Sequence, residues 1–179
     1  PIAVQIFGHD LDSLLQSLEF VEAVNPDFID INWGCPVKKV AGRGAGSGIL
    51  KDIPKMIAIT EALVKASKLP ITVKTRIGYE ETNKPIVEVA ERLQDIGVKA
   101  ISIHGRTKTQ MYKGEADWTL IGKVKENPRM TIPVFGNGDV TSAEIALDMK
   151  NRYGVDGILI GRGAIGNPWI FEQTKRVLS

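Results

Sequence analysis

Short apolar runs that are rich in β-branched residues alternate along the chain with segments whose apolar positions repeat at the helical period. The runs predict six β-strands, at Ile2–Phe7, Phe28–Asn32, Ile71–Thr75, Ala100–His104, Ile132–Gly136 and Gly157–Ile160. The segments between them predict five helices, near Leu11–Val24, Ile53–Ala66, Pro85–Ile96, Trp118–Asn127 and Ser142–Arg152. Because strand and helix alternate strictly, we expect a parallel sheet that helices cover.

The glycine-rich turns distinguish an open doubly wound sheet from a closed (β/α)₈ barrel. The last two predicted strands end in the turns Gly136-Asn-Gly-Asp139 and Gly161-Arg-Gly163. Consecutive turns of this kind after the seventh and eighth strands form the phosphate site of barrels, whereas a doubly wound fold has its glycine turn after the first strand. We therefore predict an α/β fold of the (β/α)₈ TIM-barrel type. Residues 1–179 would be one partial barrel domain that covers about strands 3–8.

Composition and charge exclude several classes of protein. The 179 residues are 43% hydrophobic, which suits one globular domain with a core of ordinary size. No apolar run approaches the roughly 18 residues of a membrane span. A single cysteine excludes an internal disulfide and fits a reducing compartment. The net charge of +2 is only mildly basic, so nucleic-acid binding has to be argued from local clusters.

Polar side chains recur near the carboxyl ends of the predicted strands, where a fully buried parallel strand would be apolar. They are Gln5, the pair Asp30 and Asn32, the pair Lys74 and Arg76, and the pair Ser102 and His104. The spacing of two within each pair places both side chains on one face of their strand. If that face points into the barrel mouth, these groups converge on a pocket suited to a flat heterocycle with carbonyl and imide groups.

Such a pocket fits a flavin. Lys74 would stabilise negative charge that develops on the ring, and Gln5 would pair with an imide edge. The two glycine-rich turns would hold a phosphate tail. A flat, redox-active ring with a phosphate tail is FMN, which we predict as the cofactor.

The only cysteine, Cys35, follows the predicted strand Phe28–Asn32 in a Gly-Cys-Pro turn. Barrel enzymes keep their chemistry at such strand ends, so the thiol is a candidate proton donor. The next residues, 37–48, contain four glycines together with Lys38, Lys39 and Arg43. We predict that they form a mobile basic loop whose cations meet phosphates near the site.

Each of these residues also has an ordinary structural interpretation. A lone cysteine is usually a small buried hydrophobic residue. Lys74 and Arg76 would fit a solvated edge strand, and His104 would fit a core histidine with satisfied hydrogen bonds. Lys38 and Lys39 would fit the solvated face of a loop. The sequence has no carboxylate pair or His/Cys cluster with metal-ligand spacing, so we predict no metal site.

The motif from Ile29 to Ser47 reads Ile-Asp-Ile-Asn-x-Gly-Cys-Pro-x-x-x-Val-x-x-x-x-x-Gly-Ser and resembles the signature of the tRNA-dihydrouridine synthases. The resemblance extends over the whole chain, and it is greatest to the bacterial DusB-type branch. Five further motifs fall in the family's order, at Gln5–Gly8, Val73–Gly78, Ile103–Thr107, Gly136–Asp139 and Ile160–Ala164.

This resemblance implies a reaction, its cofactors and a partner. The reaction is the reduction of uridine in tRNA to 5,6-dihydrouridine, with FMN as the resident cofactor and NADPH or NADH as the reductant. A hydride from reduced FMN would go to C6 of the uracil, and an acid would protonate C5. The uridine has to leave its stack in the folded RNA to reach the flavin. The parent protein is expected to be monomeric and cytoplasmic, with no membrane partner.

The resemblance also implies a role for each matched residue. Cys35 is the acid, and Asn32 helps to hold the uracil. The residues that bind the cofactor are Gln5, Lys74 and His104 at the ring, and Gly136, Asn137, Gly138, Gly161 and Arg162 at the phosphate. The other candidates for substrate binding are the basic residues Lys38, Lys39, Arg43, Arg76 and Arg106.

The sequence departs from the family pattern in two respects. Trp33 stands where a methionine is more usual, which we expect to alter loop packing more than chemistry. By the resemblance, we expect the chain to lack the first two barrel strands and the C-terminal helical domain with which the family binds tRNA. We therefore expect the 179 residues to be a fragment of the catalytic barrel of a longer enzyme.

Two other functions stay open. One is an FMN-dependent barrel enzyme that acts on a small pyrimidine, like dihydroorotate dehydrogenase. The other is a non-catalytic fragment without a flavin, which binds RNA or stabilises a fold. The basic segment from Lys38 to Arg43 favours a polyanionic substrate over a small one.

Overall fold

A computed structural model describes residues 1–178 and shows one six-stranded sheet among them, in which every neighbouring pair of strands is parallel. The spatial order of the strands follows the chain, as expected when each crossover is a helix. The strands are β1 (Ala3–Ile6), β2 (Phe28–Asn32), β3 (Ile71–Arg76), β4 (Ile101–His104), β5 (Val134–Asn137) and β6 (Gly157–Leu159). All six lie where the alternating pattern predicts them. β5 begins later than predicted because Pro133 has no N–H to give to the ladder.

Seven α-helices are present in the described residues, and the five predicted ones are among them. Side-chain caps fix three of their starts, since Asp10, Asp52 and Ser142 each accept a backbone N–H three residues further on. None of these helices is long and apolar enough to cross a membrane. The helices are α1 (Leu11–Ala23), α2 (Lys38–Ala41), α3 (Ile53–Ala66), α4 (Ile86–Asp95), α5 (Thr119–Glu126), α6 (Ala143–Tyr153) and α7 (Ile170–Leu178).

The sheet has one apolar face and one polar face. The apolar side chains are fully buried and belong to the core, as Ile31, Val73 and Ile103 show. The alternate positions of the same strands carry the polar side chains that the sequence singled out, and these are mostly only half-buried. Because successive residues of a strand point to opposite faces, packing and chemistry occupy different sides of the sheet.

The glycine-rich segment after β2 differs from the predicted open loop. It forms α2 and then a 3₁₀ helix at Gly46–Lys51, in which Gly46, Ser47 and Gly48 are buried. A Cβ at Gly48 would lie 2.1 Å from the carbonyl oxygen of Ala41. Here the glycines allow close packing of two helical turns, so a helical segment stands where an irregular loop is expected.

Gly136 shows the same principle on the apolar face of β5. A Cβ built there would lie 1.9 Å from Cζ3 of Trp118, a side chain that is only 1% exposed. The indole is also held by its Nε1–H, which donates to the carbonyl of Gly138 at 3.1 Å. Neither partner can move away without disturbing the core.

We expect Gly136→Ala to destabilise the protein by about 1–3 kcal/mol, because the added methyl group overpacks the contact with Trp118. Urea unfolding followed by circular dichroism would measure the change. Gly34→Ala is the matched control, since a Cβ at that position would lie at the ordinary distance of 3.5 Å from its nearest atoms. Equal stability of the two variants would contradict the packing argument.

Candidate active site

The carboxyl ends of the strands surround a cavity of about 620 Å³. Barrel enzymes and open α/β sheets place their sites at this end. Ten of the residues predicted from the sequence line this one cavity, namely Gln5, Asn32, Cys35, Lys74, Arg76, His104, Asn137, Gly138, Gly161 and Arg162.

The register of the sheet explains why they meet. Asn32 on β2 is paired with Lys74 on β3, and Arg76 is paired with His104 on β4. His104 is paired in turn with Asn137 on β5. Partners in a parallel register project to the same face, so two rows of polar side chains cross the sheet side by side.

Asn32 holds the turn that carries the cysteine. Its Oδ1 accepts the backbone N–H groups of Gly34 and Cys35, both at 2.9 Å. Its Nδ2 donates to Oε1 of Gln5 at 2.9 Å, and Nε2 of Gln5 donates to a carboxylate oxygen of Asp30 at 2.6 Å. The turn geometry is therefore tied to a side-chain network across β1 and β2.

Cys35 is a free, half-buried thiol on the cavity wall. Its carbonyl oxygen accepts two hydrogen bonds from Ser47, one from the backbone N–H at 3.0 Å and one from Oγ at 2.8 Å. Trp33 points to the opposite face of the sheet, where its Nε1–H donates to Oγ1 of Thr60. The Gly46-Ser47 part of the sequence motif thus anchors the cysteine backbone, and Trp33 packs in the core.

Arg76 is 2% exposed, and its guanidinium connects the cysteine turn to the segment that follows β4. Nε donates to the carbonyl of Gly34 at 2.7 Å, and Nη1 donates to the carbonyls of Thr107 and Met111 at 2.9 and 2.8 Å. Burial lowers the pKa of Arg76 to about 10, which still leaves it charged at neutral pH. The arrangement makes Arg76 a brace between two loops.

Arg106 has a similar bracing position and does not line the cavity. It donates from Nη2 to the carbonyl of Gly114 at 2.5 Å and to a carboxylate oxygen of Asp139 at 2.7 Å. Its Nη1 faces Nε2 of His104 at 3.4 Å.

Burial and the charges of Arg76, Lys74 and Arg106 lower the pKa of His104 to about 3. His104 is therefore a neutral imidazole at pH 7.

Lys74 has no hydrogen bond or ion pair in the part of the chain that the structure describes. Burial is the main cause that lowers its pKa to about 8, and the charge of Arg76 acts in the same direction. The carboxylate of Asp30 opposes both effects. A half-buried cation without an anionic partner, facing a cavity, can stabilise negative charge on a ligand.

The turns after β5 and β6 expose backbone on the opposite wall of the cavity. Gly138 has a φ of +126°, which favours glycine. A Cβ at Gly161 would meet no atom within 4 Å, so this backbone is open to a ligand. Arg162 is 58% exposed and reaches Asp139 at 3.4 Å. These donors suit an anionic group such as a phosphate.

The structure separates five predicted residues from the cavity. Gly136 packs against Trp118 on the helix-covered face, and Arg106 is buried behind the wall. The other three are exposed side chains at or just after α2, outside the cavity, and they are Lys38, Lys39 and Arg43.

Sequence reasoning missed Tyr112, which lines the cavity and is 48% exposed. The ring lies 5.0 Å from the guanidinium carbon of Arg162 and 5.7 Å from that of Arg76. Tyr112 has no strand-end position in the sequence, so its place became visible only in the fold.

The described residues contain no group of three or more His, Cys, Asp or Glu side chains that could hold a metal ion.

Solved structures of low sequence identity show the class of fold. A mandelate racemase/muconate lactonizing protein from Paracoccus denitrificans superposes with a TM-score of 0.63 at 19% identity, covering 94% of this chain and 40% of that one. A mandelate oxidase variant superposes with a TM-score of 0.65 at 15% identity, covering 97% and 57%. The chain therefore has a TIM-barrel-like α/β fold.

The family model for dihydrouridine synthase (Dus) matches residues 1–179, so the chain belongs to the dihydrouridine synthase family. tRNA-dihydrouridine synthase B of Pseudomonas putida is 41% identical over 178 residues, which are 99% of this chain and 52% of that protein. The proteins of the same name from Pseudomonas aeruginosa and Shewanella oneidensis are each 40% identical, over 99% and 98% of this chain and 53% and 54% of theirs. The resemblance to the DusB-type branch is confirmed. The chain spans about half the length of these relatives.

The lowered pKa of Lys74 predicts a pH-dependent stability. Between pH 8 and 10.5 the unfolded state binds a proton at Lys74 that the folded state does not, so the free energy of unfolding rises with pH. We expect Lys74→Met to stabilise the protein at pH 7 by about 1–3 kcal/mol, with the gain shrinking above pH 8. Urea unfolding at pH 7 and 9.5 measures this. The exposed Lys68→Met is the control, and a gain for Lys74→Met that does not change with pH would contradict the argument.

Proposed function

We propose that this protein reduces uridine in tRNA to 5,6-dihydrouridine, with FMN as cofactor and NADPH or NADH as reductant. The observation that carries the proposal is one cavity lined by a free thiol at Cys35, the unpaired cation Lys74 and two glycine-rich turns. Membership of the dihydrouridine synthase family supports the same reaction over a small-pyrimidine dehydrogenase or a fragment without a flavin.

The residues present fit FMN in their chemistry. Lys74 would stabilise negative charge on the ring, and Gln5 and neutral His104 would offer hydrogen bonds beside it. Asn137, Gly138, Gly161 and Arg162 would hold the phosphate. When bound, FMN supplies the hydride that C6 of the uracil accepts.

Cys35 is the proton donor in this proposal. Hydride addition at C6 leaves enolate-like charge on the uracil, and a proton at C5 removes it. The two hydrogen bonds from Ser47 to the Cys35 carbonyl and the two from the turn to Asn32 Oδ1 fix the backbone that carries the thiol. A donor held in this way needs little rearrangement when the substrate arrives.

Asn32 is proposed to hold the uracil with the amide hydrogen that its bond to Gln5 leaves over. An amide nitrogen carries two hydrogens, and Gln5 accepts only one of them.

Arg76 and Arg106 contribute by bracing the loops around the substrate. Their buried donors are directed at backbone carbonyls and at Asp139.

The RNA would approach the cavity across the basic segment at and just after α2. Lys38, Lys39 and Arg43 are exposed after β2 and are proposed to contact phosphates, which positions an RNA without reading its sequence. A protein that acts in this way on tRNA is expected in the cytoplasm and as a monomer.

The sheet is proposed to represent strands 3–8 of a closed barrel. β1 pairs only with β2, and β6 pairs only with β5, among the described residues. A barrel has no free edges, so two further strands between β6 and β1 would complete it. Phe7 and Leu159, which are 59% and 37% exposed near these edges, would then be covered.

In the full-length protein, we expect Cys35→Ala to abolish dihydrouridine formation and to leave reduction of the flavin by NADPH unchanged. The thiol serves the second half of the reaction only, and Cys35→Ser should show the same pattern because a hydroxyl is a much weaker acid. Mass spectrometry of tRNA nucleosides and stopped-flow absorbance of the flavin measure the two halves. Undiminished dihydrouridine in either variant would refute this role of Cys35.

We also expect Lys74→Ala to weaken FMN binding by about tenfold or more, since a charge-assisted contact is lost from a half-buried position. Quenching of flavin fluorescence in a titration of the apoprotein measures the dissociation constant. Lys68→Ala carries the same charge change at the other end of β3 and should bind like the parent. Equal affinities for all three proteins would assign Lys74 a structural role.

A further inference from the structure

A second cavity, of about 490 Å³, lies beside α2 and the 3₁₀ helix that follow the cysteine turn. Lys38, Lys51, Lys55 and Lys108 line it together with Tyr79, and we refer to these five residues as the lysine pocket. Only Lys38 among them is a candidate from the sequence. The other four come together from three separate segments of the chain.

Tyr79 is the centre of the lysine pocket. Nζ of Lys51 lies 4.7 Å from the centroid of its ring, and Nζ of Lys108 lies 5.0 Å from it. Burial acts to raise the pKa of Tyr79, but the polar interactions with Lys108 and Lys51 and the positive charges of both lysines lower it. The two ammonium groups are thus held near one another against a single side chain.

Backbone hydrogen bonds fix this arrangement. The N–H of Lys108 donates to the carbonyl of Gly78, and the N–H of Thr109 donates to the carbonyl of Tyr79, both at 3.0 Å. The segment after β4 is therefore paired with the segment after β3. These bonds fix the backbone of Lys108 relative to that of Tyr79, and the exposed side chains of Lys38, Lys51 and Lys55 complete the pocket.

The positive charge of the lysine pocket exceeds the negative charge near it. The one carboxylate on its wall is Asp52, whose Oδ1 accepts the backbone N–H of Lys55 as the cap of α3. Outside the wall, the carboxylate of Asp10 is close enough to interact electrostatically with Lys55. None of the four lysines forms an ion pair within residues 1–178. Like charges that the fold holds together repel each other, and a bound anion removes this repulsion.

The position of the pocket indicates which anion. Lys51, Tyr79 and Lys108 follow β2, β3 and β4, so the pocket opens at the same end of the sheet as the cavity with Cys35. A nucleotide whose base enters that cavity has phosphates on both sides of it. An ammonium cluster binds such phosphates irrespective of sequence.

We propose that the lysine pocket binds a backbone phosphate of the RNA next to the nucleotide that is reduced, an inference that rests on the proposed function. Phosphate is also part of the nicotinamide cofactor, which is the other source of the same chemistry. The variants below separate these two sources.

The test uses the full-length protein with Lys51→Gln and Lys108→Gln combined. Fluorescence anisotropy with an unmodified tRNA transcript, over a series of salt concentrations, measures affinity and the number of phosphates contacted. We expect the affinity for the transcript to fall about tenfold at low salt. The plot of the logarithm of the association constant against the logarithm of the salt concentration has a negative slope, and we expect the magnitude of this slope to decrease by about one. The control combines Lys68→Gln and Lys99→Gln, which make the same charge change at the amino ends of β3 and β4 and should behave like the parent.

Three outcomes would overturn the inference. The first is an unchanged affinity and salt slope. The second is unchanged RNA binding with a raised KM for NADPH in flavin reduction without RNA, which would assign the pocket to the cofactor. The third is an equal loss in the Lys51→Arg and Lys108→Arg double variant, which keeps the charge and should bind like the parent.

The parent protein separates failure of this inference from failure of the proposed function. If the parent binds the transcript but forms no dihydrouridine, the proposed reaction is wrong, and the salt slope still decides whether the pocket holds a phosphate. If it forms dihydrouridine and the glutamine variant keeps the parent's slope, only the pocket assignment is wrong. Thermal unfolding of each variant shows that the comparison is between folded proteins.

Discussion

The parallel ladder from β2 to β5 is the constraint on which the site depends. Its register places Asn32 beside Lys74 and Arg76 beside His104, and the alternation of side chains keeps all four on the face opposite the core. A shift by one residue would bury these polar groups and expose Ile31 and its neighbours. The apolar face therefore selects the register, and the register assembles the polar site.

Side chains order the loops that follow the strands by forming hydrogen bonds with the backbone N–H and C=O groups of these loops. Asn32 accepts the amides of the cysteine turn, Ser47 donates to its carbonyl, and Arg76 joins that turn to the segment after β4. Buried backbone groups without partners are costly, so each of these side chains has a structural role, and Asn32 and Arg76 also line the cavity. The thiol is positioned by the same bonds that stabilise the turn.

Positive charge is concentrated at this end of the sheet. Lys74 and Arg76 lie together on β3, and burial lowers the pKa of both. The lysine pocket adds further ammonium groups around Tyr79. Self-repulsion and desolvation reduce the stability of the protein without ligands, and the anionic groups of the proposed flavin and RNA ligands would offset both. Such a distribution of charge suits a protein that binds both of these proposed anionic ligands at the carboxyl end of its sheet.

The sequence by itself determined the six strands, the position of Cys35 at a strand end, the family and most of the residues that line the cavity. It could do so because strand periodicity, glycine turns and the cysteine motif are local patterns. The tertiary structure decided that Gly136 packs against Trp118, that Arg76 and Arg106 brace loops, and that Tyr112 lines the cavity. It also brought Lys51 and Lys108 to Tyr79. These relations join residues that are far apart in sequence or that lie in irregular segments, and only the folded register brings them within contact distance.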